Sequence, residues 1–286
     1  MNIIINRFRH HGVPEQFGCM NAKTSWYFYD RNNPLTYRLK IDMDWVRARD
    51  QQIKDHPTLK VTADPILLDI EMINAEVSLD EQIRQTMPAI DYYTHEYPNN
   101  LIYVYGVHPY KGYLDRLKWE QVKDQPDHPK YDERKARYDR IIDIEQNNPL
   151  VKEFQSKVHG VVGSTYWNDD RLWNLKKWMI STGNFIESLK SFDDPIVLFV
   201  SPTKFGLDLD DPNREIDPKT WLTMLQACKE WEVDTLVIQI PGDWLTDPTR
   251  TRWLETLKHF DDPTIYPMPS DPPFVVSPSN IGVISD

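Results

Sequence analysis

Pro65-Ile66-Leu67-Leu68-Asp69-Ile70-Glu71 is an apolar run of strand length that ends in two carboxylates spaced two residues apart. Side chains alternate along a strand, so Asp69 and Glu71 are expected on the same side, roughly 6–7 Å apart. Apolar residues precede and separate the acids, which distinguishes them from a solvated charge run. The pattern is that of an acid pair mounted at the end of a buried strand.

Short apolar strands alternate with longer helical patterns on both sides of this stretch. Ile3-Ile4-Ile5 reads as a strand, and so does Thr24-Ser25-Trp26-Tyr27-Phe28-Tyr29, which is rich in β-formers. Residues 42–54 carry Trp45, Val46 and Ile53 as the apolar positions of a helix. Ser78 and Glu81 form a capping-box signature, and Leu79, Ile83, Met87 and Ile90 follow at helical spacing. Pro88 predicts a kink in that helix. Leu101-Ile102-Tyr103-Val104-Tyr105 is the next strand. Residues 111–157 are charged and mostly helical, an excursion after the fourth strand. Strands are then expected at 158–166, 195–200, 236–240 and, briefly, 264–266.

Between those strands, Leu172, Leu175, Met179, Ile186 and Leu189 make one apolar stripe, which Gly183 is expected to bend or divide. Asp217-Pro218 and Asp247-Pro248 each read as a helix N-cap with proline at the first helical position. Trp178, Trp221, Trp231 and Trp253 fall at helical spacing and read as core. Pro267, Pro269, Pro272, Pro273 and Pro278 mark an extended tail.

Continuous apolar strands between amphipathic helices imply a parallel sheet covered on its faces. About eight such units in roughly 250 residues is the size of a TIM barrel. The expected fold is therefore a single-domain α/β chain, a TIM-type (β/α)8 barrel over residues 1–266. It is distorted by the helical excursion at 111–157 and followed by a proline-rich tail at 267–286. A doubly wound open sheet is the alternative. Against it, no strand leads into a G-x-G-x-x-G turn, and no Walker A sequence occurs.

The net charge of −11 argues against nonspecific binding to nucleic acid or an anionic membrane, because such a chain repels phosphates at long range. Cys19 and Cys228 are isolated from each other, so neither a C-x-x-C zinc knuckle nor a disulfide framework is expected. The opening Met1–Arg7 is too short in apolar residues for a signal peptide, and no stretch has the length of a transmembrane helix. The expected location is cytoplasmic by default. A virion component would look the same, because it needs no signal of its own.

Barrel sites are built at the carboxyl ends of the strands. This sequence places Asp69 and Glu71, then Tyr105 and His108, then Tyr166, Trp167, Asp169 and Asp170, then Ser201, Thr203 and Lys204, then Gln239, Asp243 and Trp244 at those ends. Aromatic faces stack on pyranose rings and carboxylates bond sugar hydroxyls, so a glycan is the expected ligand. Protein partners would meet the 111–157 excursion or the tail.

The chain resembles the glycoside-hydrolase (α/β)-barrels, and most of all the hyaluronidase-type arrangement. The resemblance rests on Asp69-Ile70-Glu71, Ser164-Thr165-Tyr166 and Gln239-Ile240-Pro241-Gly242-Asp243-Trp244, in that order over roughly residues 60–245. It departs from the family at Ile70, where an aromatic residue is usual, and at Pro241-Gly242-Asp243, which intervene before Trp244. The resemblance implies Glu71 as general acid, with a pKa raised by the neighbouring Asp69. It implies that Asp69 orients the substrate's own N-acetyl group as internal nucleophile. Tyr166 would bond the same acetamido group, and Trp244 would pack under the ring. Without an N-acetyl group, Asp169 or Asp243 would supply the second carboxylate.

No metal or other cofactor is expected. Two other readings stand beside the enzyme. One is a non-catalytic barrel serving as a carbohydrate-binding or structural part, for example of a phage particle. The other is a metal-dependent hydrolase using Asp69, Glu71 and Asp169. Against every reading that gives Asp69 and Glu71 chemistry stands a plain structural role, capping of the next loop's backbone N–H groups.

Overall fold

In the computed structural model, the residues described are 1–6, 20–21, 23–26, 41–55, 65–69, 78–105, 118–119, 122–165, 167–168, 174–205, 214–239, 252–257 and 259–260. The first half comprises β1 (Asn2–Asn6), β2 (Met20–Asn21), β3 (Lys23–Trp26), α1 (Met43–Asp55), β4 (Ile66–Asp69), α2 (Leu79–Glu96) and β5 (Ile102–Tyr105). The excursion contributes α3 (Tyr131–Asn147) and α4 (Pro149–Lys157). Then come β6 (Val161–Ser164), β7 (Trp167–Asn168), α5 (Leu175–Leu189), β8 (Ile196–Val200) and β9 (Lys204–Phe205). The last elements described are α6 (Pro218–Glu230), β10 (Thr235–Gln239) and α7 (Arg252–Leu257).

Every strand pairing within the sheets is parallel. One sheet runs β2-β1-β10-β8-β6, a second β3-β4-β5, and β7 pairs with β9 beyond the ends of β6 and β8. In sequence, residue 22 separates β2, at one edge of the first sheet, from β3, at one edge of the second. At the other edge, the His159 N–H donates to Ile102 O at 3.0 Å, and the Ile102 N–H donates to His159 Nδ1 at 2.9 Å. The expected short strand at 264–266, the helix start at Asp247-Pro248 and the proline-rich tail lie outside the described residues.

Three apolar clusters follow from strand alternation. Ile66, Leu68, Ile102 and Val104 pack against Val46 of α1, Ile83, Met87 and Ile90 of α2, and Val151 and Phe154 of α4. Ile196, Leu198, Val200, Leu236 and Ile238 pack against Trp178 and Ile186 of α5, Trp221 and Leu225 of α6, and Trp253 of α7. The intervening positions of both sheets make the third cluster: Leu67, Tyr103, Val162, Val197, Phe199 and Val237. Helices therefore cover one face of each sheet, and the opposite faces share one interior. Trp178, Trp221 and Trp253 are buried as expected, and Trp231 packs against the same cluster.

The helix starts follow their sequence signatures. Ser78 Oγ accepts from the Glu81 N–H at 3.3 Å, and Asp217 Oδ1 accepts from the Thr220 N–H at 3.0 Å ahead of Pro218. Asn148 joins α3 to α4: its Oδ1 accepts from the Leu150 N–H and its Nδ2 donates to Asp80 Oδ1. Two residues that disfavour a helix interior, Pro88 and Gly183, lie within continuous helices. α2 runs on through Pro88, which is exposed, so the carbonyl that proline cannot bond has access to water. α5 is continuous through Gly183, where a Cβ would sit 3.3 Å from the Trp231 ring. Glycine there leaves room for the close approach of Trp231.

Candidate functional site

Because the strands are parallel, their carboxyl ends gather at one end of the structure, the mouth. Strand register sets the neighbours there. Asp69 lies between Trp26 on β3 and Tyr105 on β5. Ser164 pairs with Phe199, and Asn6 pairs with Gln239. Asp69 thus ends β4 two residues beyond Leu67, a member of the interior cluster.

Below the mouth the interior is filled. Tyr103 is buried, and its phenol hydrogen-bonds with the Thr235 side chain on β10, a strand of the other sheet. Burial pushes the Tyr103 phenol above its ordinary pKa, and the bond to Thr235 opposes that rise. With Leu67, Val162, Val197, Phe199 and Val237 around it, this layer forms an apolar floor.

At the rim, Tyr105 Oη lies 3.0 Å from Ser164 Oγ, and its ring centroid lies 5.0 Å from that of Phe199 at an interplanar angle of 39°. Both Tyr105 and Ser164 are half-buried. After β8, Ser201 Oγ and Thr203 Oγ1 are 2.7 Å apart, and the Thr203 N–H donates to Ser201 Oγ at 3.2 Å. Both residues are buried, so this pair secures the turn out of β8. Gln239, half-buried, ends β10.

Of the residues expected to form the site, Asp69, Tyr105 and Gln239 end strands at this mouth, and Trp167 opens β7 paired with Lys204. The register brings Asp69 and Tyr105 side by side. Glu71, Tyr166, Asp169, Asp243 and Trp244 lie outside the described residues, as do His108 and Asp170. Phe199 carries no site signal in the sequence, and Ser164 carries one only as part of the motif that ends in Tyr166. The usable signal was positional: Ser164 follows Val162 on the same strand face. Among the described residues, no group of three His, Cys, Asp or Glu side chains could hold a metal ion, and no helix is long and apolar enough to cross a membrane.

No protein-family model matches the chain, and no curated protein sequence does. Solved structures do match. The fold is similar to that of bee venom hyaluronidase. Its monoclinic crystal structure superposes with a TM-score of 0.56, covering 91% of this chain and 96% of that one at 9% sequence identity. The structure of the same enzyme in complex with a hyaluronic acid tetramer gives a TM-score of 0.55, covering 93% of this chain and 99% of that one, also at 9% identity. The likeness extends over nearly the whole of both chains, so it concerns the architecture rather than one motif. At this identity it shows the fold and leaves the chemistry to the residues.

Proposed function

We propose that the two sheets close into one barrel and that the chain is a glycoside-hydrolase-like enzyme acting on a polysaccharide or glycan at its mouth. The observation that carries this is the register that sets Asp69 beside Tyr105 at the carboxyl end of a hyaluronidase-like fold. Asp69 and Glu71 are two residues apart in the sequence, the spacing that an extended chain puts on one side. Glu71 acts as general acid, keeping its proton near neutrality because the charge on Asp69 opposes a second ionisation. Asp69 orients the substrate's N-acetyl group, which serves as internal nucleophile. Tyr105 and Gln239 border the sugar, together with Tyr166, Trp167, Asp169, Asp243 and Trp244 from the segments beyond the strands.

The bee venom enzyme was crystallised with a hyaluronic acid tetramer, so hyaluronan oligosaccharides are the first probe, followed by other N-acetylhexosamine polymers. Release of new reducing ends is the readout. Glu71→Gln abolishes cleavage and leaves the melting temperature within a few degrees of the parent. A Glu71→Gln protein that cleaves at the parent rate sinks the assignment. Saturable binding with no cleavage by the parent chain selects the non-catalytic carbohydrate-binding barrel instead.

A further inference from the structure

Tyr105 and Ser164 are 59 residues apart in sequence and belong to different sheets, yet their hydroxyls meet at 3.0 Å. Ser164 is the register partner of Phe199, so the two sit side by side on β6 and β8, and Tyr105 reaches both from β5. The Phe199 ring restrains the plane of the Tyr105 ring. The Ser164 hydroxyl restrains its far end. A tyrosine has two rotatable side-chain torsions, and contacts at the ring and at the hydroxyl leave neither free. The next strand on the other side of Tyr105 ends in Asp69.

We infer that Ser164 is a positioning residue for Tyr105, holding its phenol at the mouth in the orientation that meets a sugar beside Asp69. This rests on the glycan reading above and deepens it. A side chain ordered before the ligand arrives has no rotamer entropy left to lose on binding, so the restraint supports affinity. Ser164 thereby acts through Tyr105, and the hydrogen-bonding group that reaches the ligand is the phenol.

The experiment uses the full chain in five forms: parent, Ser164→Ala, Ser164→Thr, Tyr105→Phe and Ser164→Ala/Tyr105→Phe. Tyrosine is labelled with 13C at Cζ, and Tyr105→Phe identifies the Tyr105 line by its loss. Ser164→Ala moves that line and Ser164→Thr, which keeps a hydroxyl, restores it. An unmoved line overturns the inference whether or not a glycan binds.

With the hyaluronan tetrasaccharide and the N-acetylglucosamine tetramer as probes, Ser164→Ala weakens binding by about 2- to 13-fold, the range of one neutral hydrogen bond, and Ser164→Thr recovers most of it. The double variant is no weaker than Tyr105→Phe alone, because the serine acts only through the phenol. Independent, additive losses overturn the inference while leaving the glycan reading intact. A parent chain that binds neither probe, with the Tyr105 line still moved by Ser164→Ala, fails the glycan reading and supports the Ser164–Tyr105 restraint. Thermal melting of each variant separates unfolding from a local effect.

Discussion

A single carboxylate, Asp50, ties α1 to α2 on the outside of the strands. It is 0% exposed. Tyr97 Oη donates to it at 2.7 Å, Tyr92 Oη donates at 2.9 Å, and Lys54 Nζ lies 3.1 Å from it and 2.7 Å from Glu96. Asp50→Ala leaves two phenols and an ammonium group without the charge that organises them. The expected loss is about 3–5 kcal/mol, read from urea unfolding, with Asp50→Asn losing less. The tyrosines add a pH dependence. Burial, then the bond to Asp50 and its charge, push Tyr92 up from 10.0 to about 12, and the same causes raise Tyr97. A raised phenol binds its proton more tightly when folded, so its contribution is complete below pH 10 and is lost as pH rises through the folded value. Stability therefore falls between about pH 10 and 12, and Tyr92→Phe flattens that fall. None of this was marked in the sequence. Asp50 stood in a helix whose legible features were Trp45 and Val46, and its tyrosine partners lie 42 and 47 residues away. The Tyr105–Ser164 contact was hidden for the same reason: it forms only when two sheets face one another.

Elements were the most legible level, because their signals are local. Ser78 and Asp217-Pro218 mark helix starts through bonds that span three residues, and both bonds are present. Asp217→Ala is expected to cost about 0.5–2 kcal/mol in urea unfolding at neutral pH. Burial raises the Asp217 carboxyl, but its side-chain and backbone hydrogen bonds, to Thr220 first, outweigh that and hold it below its ordinary value. The cap is therefore complete above the ordinary carboxylate pKa and is lost as pH falls through the lowered one, so parent and variant converge in acid. The helix interiors were less legible. Gly183 was expected to bend or divide α5, which is not divided there; a glycine's cost in a helix can be read from sequence, but the approach of Trp231 cannot. Gly163 is a parallel case in a strand. A Cβ there would overlap the Phe185 ring, because β6 lies directly against α5. Gly163→Ala is expected to destabilise by about 1–3 kcal/mol, and pairing it with Phe185→Leu returns part of the loss. A Gly163→Ala protein as stable as the parent would show that β6 and α5 have room to separate.

At the scale of the whole molecule, the question is whether two sheets behave as one body. Fold class was legible because parallel strands buried on both faces cannot be written with polar alternation. The meeting of the sheets was not legible, since no single strand records which strand it faces. The shared interior shows it: Leu67 and Tyr103 from one sheet lie in one cluster with Val162, Val197, Phe199 and Val237 from the other. Phe199 belongs to both the interior and the Tyr105 contact, so removing its ring tests the joint directly. Phe199→Ala is expected to destabilise by about 3–5 kcal/mol, as for other buried aromatics. The distribution of that loss decides the matter. If the sheets unfold as one cooperative unit, amide exchange quickens in β4 and β5 as much as in β6, β8 and β10. Exchange that quickens only in β6, β8 and β10 would mean two separately stable sheets, and the proposed barrel would not hold as a single body. The parent sharpens the comparison: the β5–β6 seam is carried by His159 at its lower end and by Tyr105 and Ser164 at its upper end. Amides of Ile102 and His159 should therefore exchange with the global transition in the parent and still do so in Phe199→Ala, each shifted by the same free energy.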